Sequence, residues 1–404
     1  MRPSRRAPVR LTALAALLAV AAALSAGRAM AQSRVEIPVG AGPAYQAFLR
    51  TRQLVAEGRL SLAVAARADE AKAMLGQAQR AVAAIESLFV GMRRRAGWER
   101  LVVWCIDDRS AFLGAVRAVA DADAGNAGGM CCDLGKEVHV FVHGRSWRVI
   151  RHELWHAVSG AYLPAVDPWL DEGMAEILGE SVDMGDSLAM GGVSADRLAR
   201  CRALVSRGAW VSLPIFLQRG EQWGSQLRRG EQSGPDQYLQ AWAIVHHLMF
   251  ADNGAHRPML ATMMAELNAG RDQRSALHSS VGSSPESLQA WEREVTAWLG
   301  SASPVDLAGM RRSLADWAES ERSALTLGID ELGQSVASHA RRGGLLGLAR
   351  SAVGTGGASE VSRTARTRSI RIGPVDGGIW TVRWEVSVKD VPAKPVVSVG
   401  WALR

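Results

Sequence analysis

The sequence has few cysteines and tyrosines and, beyond its first 31 residues, no long hydrophobic run. Its 404 residues include 4 Cys and 3 Tyr. No apolar stretch after residue 31 is long enough to cross a bilayer, which predicts a soluble mature chain without a membrane span. No basic stripe is interleaved with aromatic residues, so we expect no nucleic-acid partner. The sequence also contains no internal repeat.

The cysteines are also too poorly spaced for a structural zinc site. Cys131 and Cys132 are neighbours and lack the paired C-x-x-C spacing that such sites use, and Cys105 and Cys201 are isolated. In an oxidising compartment one or two disulfides are compatible with this set, and the sequence does not select a pairing. We expect disulfides or buried thiols.

Residues 1–31 have the organisation of an export signal. A segment with four arginines precedes the apolar run 11–26, and Ala29-Met30-Ala31 follows as a small-x-small cleavage site. We expect cleavage after Ala31 and a periplasmic or secreted protein. An uncleaved membrane anchor is the alternative, which the short apolar run disfavours.

The high net charge belongs largely to this segment. The chain carries a formal charge of +7, and residues 1–31 contain five arginines and no acidic residue, which leaves +2 for the mature chain. The basic pI therefore indicates neither a nucleic-acid nor a membrane partner.

The pattern of the mature chain predicts an α+β protein with several regions. We expect a helical region over residues 32–99, with two or three helices between 43 and 95, a central domain over 100–300, a helical extension over 301–340, a Gly/Ser/Arg-rich linker over 341–368 and a short C-terminal β-element over 369–404. Three strands are expected in the last region.

Two strands and a loop are expected early in the central domain. Leu101–Ile106 is a short apolar run rich in β-branched residues, which predicts a buried strand. Glu137–His143 alternates, with its three valines on one face, and predicts a strand with two unlike faces. The Gly/Ala/Asp-rich residues 121–130 predict a loop.

A helix expected between Ser146 and Gly160 contains the sequence H-E-x-x-H. Spacing of four places His152 and His156 one turn apart on one face, where they can share an ion. Glu153 is offset by one position, so its carboxylate can reach a metal-bound water without occupying the coordination sphere. A surface helix with two scattered histidines is the alternative.

A catalytic zinc ion needs a third protein ligand and an open position for water. The next predicted helix begins at Asp167-Pro168 and continues through Glu180. Glu172 on this helix is the expected third ligand. Glu176, one turn later, is placed to accept the second ring N–H of His152 and so hold its tautomer, although a plain surface carboxylate would also explain it.

These two segments resemble the gluzincin metallopeptidases, specifically the M1-like group, in which H-E-x-x-H is followed by W-L-x-E-G-x-A. Residues 152–156 and 169–175 match both motifs as they stand, and the resemblance covers roughly residues 100–250. It implies a zincin-like domain in which a small mixed sheet, an active-site helix and a helical lobe form the cleft. It also implies one Zn²⁺ ion held by His152, His156 and Glu172, with Glu153 as the general base.

The separation between the motifs is shorter than in the M1 aminopeptidases. Fifteen residues lie between His156 and Glu172. This spacing is similar to that of small bacterial peptidase domains of the same clan.

The resemblance extends to Tyr238, which lies 66 positions after Glu172 near the start of a predicted helix. In M1-type enzymes a tyrosine at this place stabilises the oxyanion, and a phenol near zinc can donate to that developing charge. A tyrosine packed on the core is the alternative. His246 and His247 are fallback donors, although an ordinary helix position is the favoured explanation for each.

In zincins the strand before the active helix lies at the edge of the sheet and pairs with extended substrate. The resemblance therefore implies that Glu137–His143 is the edge strand. His139 and His143 are then expected as cleft-wall or sheet-surface residues and not as further ligands.

One departure bears on specificity. The M1 aminopeptidases grip the substrate amine with a G-x-M-E-N segment, and residues 128–132 read Gly-Gly-Met-Cys-Cys, without the glutamate. Their β-rich N-terminal domain is also missing. We therefore expect an exported zinc metallopeptidase acting on peptides or proteins, and the departure favours an endopeptidase over an aminopeptidase. A zinc amide hydrolase with a non-peptide or cell-wall substrate, and a catalytically idle binding protein, remain alternatives.

Overall fold

A computed structural model describes residues 42–320, with gaps at 96–97, 121–124, 126, 165, 186, 219–222, 224–233 and 283, and the backbone of four strands between residues 361 and 403. The predicted export signal and most of the predicted linker lie outside the described residues. The described chain is a mixed α+β protein with a small mixed sheet, which agrees with the predicted class at that level. Within it, no helix combines the length and apolar composition needed to cross a bilayer.

The bounds of the elements are as follows. The helices are α1 (Pro43–Thr51), α2 (Ala68–Ser87), α3 (Arg109–Ala120), α4 (Trp147–Ser159), α5 (Pro168–Gly179), α6 (Ala195–Ser206), α7 (Leu213–Phe216), α8 (Gly234–Phe250), α9 (Arg257–Asn268), α10 (Gln273–Ser280), α11 (Pro285–Ser301) and α12 (Leu307–Ser320). The strands are β1 (Gln53–Glu57), β2 (Leu60–Val64), β3 (Arg100–Ile106), β4 (Gly129–Asp133), β5 (Glu137–His143), β6 (Val182–Asp183), β7 (Leu188–Ala189), β8 (Val361–Arg363), β9 (Thr367–Val375), β10 (Gly378–Val386) and β11 (Pro395–Leu403).

The principal sheet has five strands in the order β1-β2-β3-β5-β4. Strands β2, β3 and β5 are parallel, and β1 and β4 run antiparallel at the two edges. Helix α2 connects β2 to β3, and α3 with β4 connects β3 to β5. Long connections of this kind are what parallel neighbours require.

The prediction of helices alone between residues 43 and 95 is wrong for residues 53–64, which form the β1–β2 hairpin. Gly58 in its turn has φ +58°, a left-handed conformation that glycine adopts without strain. Strand β2 is buried along its whole length, so it shows no apolar–polar alternation that would separate it from a buried helix. Because β2 pairs with β3, the sheet includes residues from both the predicted N-terminal region (32–99) and the predicted central domain (100–300).

Strand β4 lies at one edge of the sheet, and the prediction that Glu137–His143 lies at the edge is wrong. Strand β5 lies between β3 and β4, and it pairs with both. Residues 129–130, predicted as part of a loop, open β4. The glycine-rich composition of this segment concealed a strand that is held by its pairing with β5.

The sheet carries a core on each face. Helices α2 and α4 pack on the face that includes Val103 and Val140, and α1 and α3 pack on the face that includes Trp104 and Phe141. Adjacent residues of one strand thus enter different cores, as the period of a strand requires. The predicted alternation of Glu137–His143 is confirmed.

His139 belongs to the face opposite α4. Its side chain is buried, and Nε1 of Trp104 donates to its Nδ1 at 3.1 Å. The ring of His143 lies 5.9 Å from that of Phe112 in α3, on the same side. Of the two expected positions for these histidines, the sheet face is correct and the cleft wall is wrong.

The cysteines and the C-terminal strands complete the comparison. All four cysteines are free thiols, and Cys105, Cys132 and Cys201 are buried. The C-terminal β-element is an antiparallel sheet in the order β11-β10-β9-β8. Its first strand, β8, lies in the segment 341–368 that was predicted as a linker, and that part of the prediction is wrong.

Candidate metal centre

Helix α4 presents opposite faces to the core and to the site. Ser146 occupies its N-cap position with extended backbone, and the helix ends at Ser159 with Gly160 as its C-cap, as the sequence predicts. Apolar residues such as Leu154 and Val158 are fully buried against the body of the protein. His152 and His156 project from another face, with rings 5.0 Å apart, and both retain partial exposure.

The third candidate ligand comes from α5, which begins at Pro168. The Oε2 atom of Glu172 lies 3.2 Å from Nε2 of His152 and 3.7 Å from Nε2 of His156. Ligand atoms about 2.0–2.1 Å from a tetrahedral zinc ion are separated from one another by roughly 3.3 Å. The structure therefore brings the three predicted ligands together at spacings that suit one divalent ion.

The environment of Glu172 fits a cation. Its Oε2 is buried and, among the described residues, has no hydrogen-bond partner, despite the two close imidazoles. Burial alone would raise the pKa of Glu172, but the two histidines outweigh it and lower the pKa to about 2. An ionised carboxylate whose Oε2 has no hydrogen-bond donor and lies close to two ring nitrogens fits the ligand set of a metal ion.

A carboxylate that the sequence did not single out orients His156. Oδ2 of Asp171 lies 2.9 Å from Nδ1 of His156, and Nε1 of Trp155 donates to the other oxygen of Asp171 at 2.7 Å. The indole thus holds the carboxylate, and the carboxylate holds the imidazole with Nε2 toward the site. The position of Asp171 beside Glu172 gave no signal, because its role depends on how α4 and α5 are oriented.

Glu176 occupies the position predicted for it next to His152. Its Oε1 lies 3.4 Å from Nδ1 of His152. Its other oxygen accepts hydrogen bonds from Arg148 at 2.9 Å and Arg197 at 2.6 Å. Burial alone would raise the pKa of Glu176, but His152 and the two arginines hold it well below its usual range. Glu176 is therefore an ionised acceptor that keeps the ring of His152 in place.

The predicted general base, Glu153, lies beneath the edge strand. A Cβ atom on Gly129 of β4 would come within 2.7 Å of Cγ and Oε1 of Glu153, so only glycine allows the strand to pass this closely. Burial raises the pKa of Glu153, while the charges of His152 and His156 lower it. A buried carboxylate with a raised pKa, next to the candidate metal ligands, suits proton transfer near neutral pH. Gly129 was not recognised from the sequence.

Helix α5 is held directly against α8. A Cβ atom on Gly173 would come within 2.5 Å of Cγ2 of Val245 and 2.7 Å of the carbonyl oxygen of Ala241. Glycine at this position lets the two helices approach to backbone contact. This close contact fixes the position of Glu172, the residue before Gly173, relative to α8.

Tyr238 in the first turns of α8 lies at the site, with its ring 6.3 Å from that of His152. Burial, followed by the charges of Glu172 and Glu153, raises the pKa of Tyr238 far above its usual value. The phenol therefore remains protonated and can donate a hydrogen bond. Its ring also packs edge-on against Trp223, 6.1 Å away.

The fallback donors do not join this group. His246 is buried between Trp242 and Phe250, and its Nε2 lies 3.2 Å from the carbonyl oxygen of Gly191. His247 lies near the other end of α8, where its ring stacks on that of His256.

Comparisons of the sequence with known proteins assign no family or function to the chain. No family model matches the chain, and no curated protein matches it significantly. The described residues nevertheless include two groups of histidine and glutamate side chains whose ligand atoms lie close enough to hold a metal ion. The group formed by His152, His156 and Glu172 is the one that the sequence motifs predict.

Proposed function

We propose that the protein is an exported zinc metallopeptidase with a zincin-like domain of the gluzincin type, and that it cleaves within peptide chains. One observation carries the proposal. One candidate ligand atom from each of His152, His156 and Glu172 lies within 4.8 Å of the others, and the buried Glu153 follows directly after His152. Zinc suits two imidazoles and one carboxylate with an open coordination position.

The surrounding residues support a hydrolytic reaction. Zn²⁺ bound here would supply a Lewis acid that acidifies water and polarises a carbonyl group. Glu153 takes up the proton of the attacking water and transfers it to the leaving amine. Tyr238 donates a hydrogen bond to the oxygen on which negative charge develops. Asp171 and Glu176 keep the imidazoles oriented throughout.

Strand β4 favours cleavage within a chain over removal of an N-terminal residue. An aminopeptidase needs a negative group to bind the free amine of its substrate. The only carboxylate of β4 is Asp133 at the far end of the strand, where it accepts a hydrogen bond from the backbone N–H of Gly135 at 2.7 Å. Cys131 stands where the resembling aminopeptidases have their glutamate.

Metal analysis combined with a substrate panel tests the proposal. We expect the purified mature protein to contain one zinc ion that Glu172→Ala removes. We expect Glu153→Gln to retain that ion and to lose hydrolysis of casein and internally quenched peptides. Glu99→Gln, which changes an exposed carboxylate, is the control and should keep both the zinc ion and the hydrolytic activity.

Each contrary outcome has a distinct meaning. Zinc content that Glu172→Ala leaves unchanged would overturn the ligand set. Turnover of cell-wall fragments without turnover of peptides would identify an amide hydrolase of another class. Zinc retention without turnover of any substrate would identify a binding protein. Release of N-terminal residues from peptides would overturn the endopeptidase assignment.

A further inference from the structure

A second group of metal-ligating side chains lies where α8, α9 and α11 meet. His247 is near the end of α8, His256 immediately precedes α9, and Glu294 is on α11. One ligand atom from each lies within 4.8 Å of the others. The two imidazole rings are stacked, with centroids 4.5 Å apart and planes inclined by 28°.

His247 shows that this is more than a pair of packed rings. Its side chain is 2% exposed, and its Nδ1 has no hydrogen-bond partner among the described residues. A buried polar nitrogen without a partner costs free energy, and a bound ion or an ordered water is one arrangement that removes this cost. The unsatisfied atom belongs to the one buried residue of the three candidate ligands.

The group faces a cavity of about 450 Å³ that opens to solvent. His247, His256 and Glu294 line it together with Asp252, whose Oδ2 lies 3.5 Å from Nε2 of His256. The cavity therefore contains two imidazoles and two carboxylates around one space. Both carboxylates are exposed, so their side chains have space to reorient toward a bound ion.

The chain reversal between α8 and α9 creates this arrangement. Asp252, Asn253 and Gly254 all have positive φ, at +50°, +57° and +82°, and turn the chain back on itself. His256 is thereby brought beside His247, nine positions earlier in the sequence. Asp252 lies within this turn, so one reversal delivers two of the four candidate ligands.

We propose that His247, His256 and Glu294 form a second metal site for a divalent transition-metal ion such as Zn²⁺, with Asp252 or water completing the coordination. Two imidazoles with a carboxylate select zinc, nickel, copper or cobalt ions over magnesium and calcium, which prefer oxygen ligands alone. The bound ion links the end of α8 to α11. Such a link stabilises the native fold, because the unfolded chain does not present the ligands together.

This site is separate from the centre formed by α4 and α5. Tyr238 and His247 are nine residues apart on α8, which corresponds to about 13 Å along the helix axis. No side chain can serve both ions. The inference does not depend on peptidase activity at the first centre.

Zinc titration of the metal-free full chain tests the inference, with magnesium as the contrasting ion and a chromophoric chelator as competitor. We expect two zinc equivalents for the wild type and no competition from magnesium. Glu294→Gln and His256→Asn should each weaken one equivalent at least tenfold and lower the zinc-induced rise in Tm. Asparagine is a preferred N-cap residue, so His256→Asn preserves the start of α9.

Control variants distinguish the two centres. Asp196→Asn alters an exposed carboxylate outside both groups and should keep both equivalents. Glu172→Ala should remove the other equivalent, and its combination with Glu294→Gln should remove both. A wild-type stoichiometry of one that Glu172→Ala abolishes, with Glu294→Gln indistinguishable from wild type, would overturn the inference. One equivalent lost in Glu294→Gln and none lost in Glu172→Ala would sustain it and contradict the proposed function.

Discussion

Nδ1 of His156 lies 2.9 Å from Oδ2 of Asp171, the residue that immediately precedes Glu172. Helix α5 thus supplies a candidate ligand and the group that orients another ligand from adjacent positions. Replacing Asp171 by asparagine keeps an oxygen for Nε1 of Trp155 but removes the charge that holds the imidazole. We expect Asp171→Asn to lower zinc affinity by about 10- to 100-fold, measured by chelator competition.

Asp69→Asn is the matched control, because Asp69 is an exposed carboxylate on α2 that pairs only with Arg67 in the described structure. Its zinc affinity should equal that of the wild type. Unchanged affinity in Asp171→Asn would show that the orientation of His156 does not depend on Asp171.

Gly129 determines how closely the edge strand β4 approaches Glu153, the proposed general base. In Gly129→Ala the new methyl group would collide with Glu153 and with Val149, each at 2.7 Å. We expect the displaced carboxylate to lower kcat by at least tenfold, in proportion to the general-base contribution of about 10²–10⁴. Zinc content should remain at the wild-type value.

The neighbouring glycine provides the control for that variant. A methyl group on Gly128 meets Val149 at 3.5 Å, an ordinary van der Waals distance. Gly128→Ala should therefore keep its activity. Equal kcat values for the two variants, measured on the same peptide, would contradict the proposed position of Glu153.

Zinc binding should depend on pH through the histidines. Burial alone lowers the pKa of His152, but Glu172 and Glu176 outweigh it and raise the pKa to about 9 in the metal-free site. Zinc needs the neutral imidazole, so below about pH 9 the ion must displace a proton. Glu172, with a pKa of about 2, is already ionised and adds no dependence in this range.

The affinity for zinc therefore falls as the pH falls. We expect a decrease of up to about tenfold per pH unit for each displaced proton, starting near pH 9. Calorimetric titration in buffers of different ionisation enthalpy measures the released protons. Glu176→Gln removes a carboxylate that raises the pKa of His152, so it should move the onset to lower pH. Affinity that is constant over this range would contradict the arrangement of charges.

Tyr238 is expected to act in the reaction and not in metal binding. Tyr238→Phe keeps the ring that packs 6.1 Å from Trp223 and removes only the hydroxyl. We expect kcat to fall by about 10²–10³-fold, the usual cost of losing one oxyanion donor, at unchanged zinc affinity. Tyr162→Phe is the control, since that ring stacks on Phe89 at 4.5 Å and lies outside the site. Equal kcat in the two variants would exclude Tyr238 as the donor.

The features predictable from the sequence are those with a local cause. Helices α4 and α5 were predicted from their start residues, Ser146 and Pro168, and from the apolar periodicity that follows each. These two helices bring the three candidate metal ligands together. Strand β2 was missed because it is buried along its whole length and pairs with β3, a partner distant in the sequence. Strand β4 was missed because its glycine-rich start reads as a loop, although its partner β5 follows closely in the sequence. The roles of Asp171 and Gly129 depend on the packing of one element against another, which no local pattern records.

The contact at Gly173 has a consequence for how the cleft can vary. Because α5 rests on the backbone of α8 there, Glu172 and Tyr238 belong to a single rigid pair of helices. This direct backbone contact sets the separation between Glu172 and Tyr238, so changes in the connecting loops need not alter it. If the proposed peptidase function holds, the loops around the site can therefore differ in length and composition, and with them the substrate preference, while Glu172 and Tyr238 keep one geometry.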